Sequence, residues 1–235
     1  MSPVAGARYA QQQITGGPPP TGPPVAGYVA WYDPSDAGSI TSSGGAVSQL
    51  DDKSGNGRHL TNATGGTQPT TGTRTQNGLN VLDFDGTNDQ LSVSGFTLTQ
   101  PYTVFAVALS DDGADATGQR ITDGQASSTI LGKTTANSWN LFAGTGLLGG
   151  TVDGGAHVHG GVFDGATSTR RVDGAVVASG NGGTSSHGGL RLAISNTGTN
   201  FWDGWIAEVV MYPTGLSAGD CSSVEAYLKT KWGTP

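Results

Sequence analysis

Few side chains in this chain could do chemistry. Only two glutamates occur, Glu208 and Glu225. A retaining glycoside hydrolase needs two carboxyl groups about 5 Å apart, one as acid and one as nucleophile. Glu225 falls in a segment with helical spacing, and Glu208 stands among apolar strand residues. Turn aspartates beside glycine could substitute in principle, yet hydrolysis is the weakest functional reading. The serines next to His187 (Ser185, Ser186) sit in a glycine-rich loop and suggest no nucleophilic triad.

Two loops carry oxygen ligands at close spacing. Asp52, Ser54 and Asn56 alternate in one, and Asp85, Asn88 and Asp89 crowd the other. Calcium takes carboxylate, amide and carbonyl oxygens from such loops. Neither is a complete EF-hand pattern, and Asp and Asn in turns routinely bond the local backbone instead. The turn reading is preferred, with calcium kept as the one candidate cofactor. His157 and His159 are two apart on an expected strand and so share a face. They could hold a transition metal with His59 or His187, though a hydrogen-bonded surface pair is the simpler expectation. Among the tryptophans, Trp31 and Trp205 are expected in the core. Trp202 and Trp139 are the candidates for stacking on a sugar, Trp202 because it lies in the loop Asn200-Phe201-Trp202-Asp203-Gly204. Cys221 is the only cysteine, so no internal disulfide framework exists, and it is expected to pack as a small apolar residue.

These groups must be positioned by strands. The 235 residues fit one all-β domain. Glycine is extreme at 40 residues and charged residues make up only 12%, a composition that suits tight turns and disfavours helices. Apolar runs predict strands over residues 28–32, 46–50, 79–84, 90–93, 102–109, 128–131, 139–142, 156–163, 169–173, 175–178, 190–194 and 205–212. Turns at 85–89 and at Asp173-Gly174 read as hairpins. One helix is expected near the end, capped by Ser217, ended by Gly233, with Cys221, Val224, Leu228 and Trp232 on one face. A net charge of −7 without a basic stripe argues against nucleic acid as partner. No apolar run approaches a membrane span, and the first residues predict no signal peptide.

Residues 1–25 form a separate Pro/Gly-rich extended arm, with Pro18, Pro19, Pro20, Pro23 and Pro24 as its assembly residues. Proline removes donors and favours extended geometry, so the arm cannot pack a core alone. It is either a disordered tail or a segment that docks on a neighbouring subunit.

The body, 26–235, carries three linked segments: Trp31-Tyr32-Asp33-Pro34-Ser35-Asp36, Asp52-Lys53-Ser54-Gly55-Asn56-Gly57 and Val81-Leu82-Asp83-Phe84-Asp85-Gly86. With the ending Ala207-Glu208-Val209-Val210-Met211-Tyr212 and Val224-Glu225-Ala226-Tyr227-Leu228, they resemble laminin-G-like, concanavalin-A-like domains. The version here is similar to those of tailed-phage virion proteins, as minor tail or capsid-decoration subunits. The resemblance implies a two-sheet jelly-roll sandwich with one C-terminal helix. It also implies a non-enzymatic structural virion protein, assembled in the host cytoplasm, with the arm anchoring it and the jelly roll displayed. Its partners would be other virion subunits, including copies of itself. The alternative is a carbohydrate-binding module that adheres to a host-surface glycan. Leu50 departs from the pattern, since relatives often carry tryptophan there.

Overall fold

The structure is a computed structural model and describes residues 22–112, 118–134 and 137–235. The chain is all-β with a single C-terminal helix among the described residues. Its centre is the strand Tyr102–Ser110, apolar on both faces as a doubly covered strand must be. It pairs antiparallel with His157–Phe163 on one side and Asp203–Tyr212 on the other. From His157–Phe163 the ladder continues through Ser168–Val172 to Ala175–Gly180. The other edge of Asp203–Tyr212 takes both Ala30–Tyr32 and Leu79–Asp85. Thr70–Gln76 follows, then a single pairing, Ala46 with Thr70, leads into Ala46–Leu50. The ladder runs on through Leu60–Thr61, Leu91–Leu98, His187–Leu192, Gln119–Asp123, Ile130–Lys133, Ser138–Phe142 and Gly146–Thr151.

The two sheets expected of a sandwich are therefore joined into a nearly closed barrel. The last strands at each end, Gly146–Thr151 and Ala175–Gly180, abut so closely that a Cβ on Gly149 would lie 2.3 Å from the Val177 carbonyl oxygen. A second expectation is also corrected. Residues 79–85 and 91–98 are not partners across the Asp85–Asp89 turn; they pair with different strands. Turn chemistry fixes a reversal but not which strand lies beside which. The Asp173-Gly174 hairpin forms as the sequence predicts, Val172 opposite Ala175.

Two apolar cores result. The barrel interior holds Tyr32, Leu50, Phe84, Tyr102, Val104, Leu141, Trp139, Trp202 and Met211 among others. The second core lies between the outer face of the central strands and the helix Ala218–Trp232, and includes Trp31, Phe105, Val107, Trp205, Val210, Cys221, Leu228 and Trp232. The helix begins and ends where its caps require. Ser217 Oγ accepts from the Asp220 N–H at 3.2 Å, and Gly233 takes the left-handed conformation, φ 64°. A buried bidentate ion pair clamps it to the barrel. Arg171 Nε and Nη2 donate to Glu225 Oε1 and Oε2, each at 2.7 Å.

Candidate functional site

The acidic loop of Asp85, Asn88 and Asp89, read as a turn with calcium as the candidate ligand, is organised by its own backbone. Asp85 Oδ1 accepts from the N–H groups of Thr87, Asn88 and Asp89 at 2.9, 3.1 and 3.3 Å. Asp89 Oδ2 in turn accepts from the Asp85 N–H at 3.1 Å. Burial raises the Asp85 carboxyl, but those three donors overcome it and hold the group below its ordinary value. Burial, then the charge of Asp85, pushes Asp89 up to about 6.

The Asp52 loop follows the same logic. Both oxygens of Asp52 are engaged: Oδ1 by the N–H groups of Trp31 and Ser54, Oδ2 by Ser54 Oγ and the Arg58 N–H. Asn56 Nδ2 donates to the Val29 carbonyl and to Ser54 Oγ. Asp52 has both oxygens engaged and Asp85 and Asp89 one each, and among the described residues no three His, Cys, Asp or Glu side chains gather as a metal-holding group. The loops are turn devices that hold strand ends together.

Trp31 and Trp205 lie in the core as expected, but the expectations for Trp202 and Trp139 are corrected. Trp202 is fully buried and Trp139 is 1% exposed, both in the barrel interior. Trp202 turns inward because its N–H donates to the Ala193 carbonyl at 2.8 Å and its neighbour Phe201 takes the outward position. Pro18, Pro19 and Pro20 lie outside the described residues; Pro23 and Pro24 lie against Tyr28 and Ser54.

The histidines do not form a metal set. His157 is held between Asp173 (Nδ1 to Oδ2, 2.5 Å) and Asp153 (Nε2 to Oδ1, 2.7 Å). His59 Nδ1 accepts from the Asp52 N–H, and His187 bonds Thr129. Neither glutamate faces solvent, since both are buried at the helix interface. Ser217 stands in a Gly-x-Ser-x-Gly spacing, Gly215 to Gly219, the pattern of a nucleophile elbow. Its hydroxyl caps the helix and donates to Asp220 Oδ2 at 2.7 Å, with no histidine hydrogen-bonded to it.

What the structure brings together is a groove of about 480 Å³ at one end of the barrel. Asp85, Gly86 and Thr87 form one wall. Asn200, Phe201 and Asp203 form another, and Asp112, Gly118 and Gln119 complete it. Its polar groups are tied to the scaffold. Asn200 Nδ2 donates to the Gly118 carbonyl at 2.8 Å, and Gln119 Nε2 to Asp112 Oδ2 at 2.5 Å. Asp203 begins a central strand, and the Asp111 N–H donates to its carbonyl at 3.0 Å. Gly204, φ 129°, follows it; a Cβ there would lie 2.1 Å from the Leu109 carbonyl oxygen, so only glycine lets the strand bring Asp203 to this spot. Burial, then a hydrogen bond to Asp112 and the charges of Asp112 and Asp111, push Asp203 up to about 6. Carboxylates and amides beside one half-buried aromatic ring suit a ligand rich in hydroxyls with an apolar face. Phe201 and Asp203 are the residues that sequence reasoning missed. The signal was the pair Phe201-Trp202, of which only one could face out.

No family model and no curated protein matches the chain. Solved structures do. Trypanosoma rangeli sialidase is similar with a TM-score of 0.60 at 14% identity, over 89% of this chain and 34% of that one. Domain 4 of AbnA, a GH43 extracellular arabinanase from Geobacillus stearothermophilus solved in complex with arabinotriose, gives 0.55 at 14% identity, over 85% and 98%. The botulinum neurotoxin serotype G binding domain gives 0.53 at 10%, over 88% and 54%. The chain spans about a third of the length of the sialidase chains it matches. At such identities the likeness establishes the fold alone: an all-β architecture shared with domains of carbohydrate-active and binding proteins.

Proposed function

We propose that the body is a non-catalytic carbohydrate-binding module of the concanavalin-A-like jelly-roll kind, and that it takes its sugar in the groove of Asp85, Asn200, Phe201 and Asp203. The observation that carries this reading is the groove itself: acceptors for sugar hydroxyls placed around an outward aromatic on a rigid strand end. The likeness to an arabinanase domain solved with arabinotriose, matched over nearly all of that chain, supports it. The absence of catalysis is supported by the two glutamates, each engaged in the joint between barrel and helix. Glycan-array screening followed by calorimetry on the full chain tests it. Phe201→Ala is expected to weaken the best glycan roughly 2- to 10-fold, since an aromatic contact contributes on the order of 0.5–1.5 kcal/mol. Unchanged affinity, or no glycan bound at all, would refute the site.

A second role is compatible with the first and is favoured by the root of the arm. Tyr212 Oη donates to the Val25 carbonyl at 3.0 Å, and a Cβ on Gly22 would meet the Trp31 ring at 2.9 Å. The arm thus leaves the body from a fixed point, as a tether joining the module to a virion would. Deleting residues 1–21 is expected to abolish incorporation into particles. Normal incorporation would remove the tethering role.

A further inference from the structure

The barrel closes at a seam that no ladder bridges. Gly146–Thr151 pairs with Ser138–Phe142, and Ala175–Gly180 with Ser168–Val172. Where these two strands abut, no strand pairing joins them among the described residues. At one end a single imidazole spans the gap. Asp153 lies just after Thr151, the last residue of one strand, and Asp173 just before Ala175, the first residue of the other. His157 donates to both: Nε2 to Asp153 Oδ1 at 2.7 Å and Nδ1 to Asp173 Oδ2 at 2.5 Å.

A neutral imidazole has one N–H and one lone pair, so it can donate to only one of two carboxylates. Both contacts together require the imidazolium. The hydrogen bond to Asp173, with a further one to Asp153, raises His157 against burial, and the same bond lowers Asp153. The other charged groups around it are engaged elsewhere. His159, on the same strand with ring centroids 6.0 Å apart, is lowered by burial and accepts from Arg170 Nη2. From the next strand and the helix, Arg171 and Glu225 pair with each other, and Lys229 Nζ donates to the Asp173 carbonyl at 3.1 Å. The remaining neighbours do not titrate: Ala108 lies opposite His157 in the ladder, and the Trp139 ring meets it edge-on at 6.0 Å.

We propose that His157 is a pH-released staple: protonated, it closes this end of the barrel seam, and on losing its proton it frees residues 152–156 and the adjoining end of Gly146–Thr151. The release falls on the Asp153 side. Asp173 is fixed in its turn, since its N–H donates to the Val158 carbonyl at 2.9 Å and its Oδ1 accepts from the Val158 N–H at 2.8 Å. The Asp153 side chain is 61% exposed against 17% for Asp173, and Gly154, φ 77°, and Gly155 follow it. Once neutral, the ring keeps its one N–H for Asp173 and turns a lone pair toward the Asp153 carboxylate, which is repulsive. Because the folded-state value is raised, the staple is complete below about 6.5 and is lost as pH rises through that raised value.

Nitrogen-15 NMR of the histidine rings, read across pH beside amide hydrogen exchange, tests this on the full chain. Below its titration His157 is expected to carry protons on both ring nitrogens, and that titration should fall above about 6.5. Exchange protection of residues 147–153, corrected for the intrinsic rate, should drop roughly 10-fold through the same titration, the effect of losing one charge-assisted hydrogen bond. Asp153→Asn should bring the titration down toward the ordinary value and carry the step in protection with it. A His157 that titrates at or below about 6.5, or protection that stays level through its titration, would overturn the staple. A variant that titrates as the wild type does would count against it equally. Should the variant not fold, the two wild-type measurements decide.

Discussion

Replacing Glu208 by alanine is expected to cost about 3–5 kcal/mol of folding stability, the range for removing one partner from a buried ionic network. The side chain is fully buried between barrel and helix. The ladder shifts register between Ile206 and Val209, a bulge that turns Glu208 to the helix side together with Ala207. There one oxygen accepts from Trp31 Nε1 at 2.7 Å and Tyr227 Oη at 2.9 Å. The other accepts from Trp232 Nε1 at 2.9 Å and Lys231 Nζ at 2.8 Å. Alanine would leave three buried neutral donors unpaired and would remove the anion that Lys231 shares with Asp33, itself 2.7 Å away. Burial raises the Glu208 carboxyl, and the nearby Lys231 opposes that rise, so the network depends on the pair being kept together. Urea unfolding with linear extrapolation measures the loss. Lys231→Met should cost less in the Glu208→Ala background than alone, because one of its two counter-charges has gone and only Asp33 remains. Additive costs, or a loss under about 1 kcal/mol for Glu208→Ala, would mean that this carboxylate is not the joint between the two cores.

Glu208 also shows what a sequence can and cannot carry. Its place among apolar strand residues was legible, but the bulge that aims it at the helix depends on register between strands. The helix itself was legible in full, since Ser217, Gly233 and the spacing of Cys221, Val224, Leu228 and Trp232 are local signals. The apolar strands were legible for the same reason. The strand Thr70–Gln76 was not, because its Thr, Gly, Arg and Gln residues carry no apolar alternation; its side chains contribute polar contacts instead, Arg74 to Asp83 and Gln76 to the Trp232 carbonyl. The turn reading of Asp52 and Asp85 rested on what those side chains do within two to four residues; the Asp85 bonds are of that range, whereas Asp52 also reaches the Trp31 N–H, 21 residues away. Trp202 failed because a loop position says that a residue is near the surface, not which of two adjacent aromatics faces it. The groove likewise joins residues 85–87, 118–119 and 200–203, which meet only once the barrel has closed.

Acid should destabilise the protein through His187, and replacing that residue should make the response shallower by nearly one proton. His187 is fully buried, with Nδ1 2.5 Å from Thr129 Oγ1 and Nε2 unpartnered. Burial alone lowers it from the ordinary 6.5 to about 3. As pH falls below 6.5 the unfolded chain takes a proton that the native imidazole refuses, so this one group removes about 1.4 kcal/mol of stability per pH unit until pH 3. His159, buried and beside Arg170, acts in the same direction. His157 acts oppositely: its hydrogen bond to Asp173, with a further one to Asp153, raises it against burial. Its contribution is complete below 6.5 and lost as pH rises through the raised value. Asp89 and Asp203, both pushed up to about 6, add stability as pH falls from there toward 3.8. The total profile is therefore a sum of opposed terms, and its shape alone identifies no residue. The difference between wild type and His187→Asn does, since Asn keeps an acceptor near Thr129 and does not titrate. Unfolding free energies at pH 6, 5 and 4 should converge for the two proteins by about 1.4 kcal/mol per unit. Parallel curves would show that His187 takes up its proton in the native state, which its burial forbids unless the barrel opens around it.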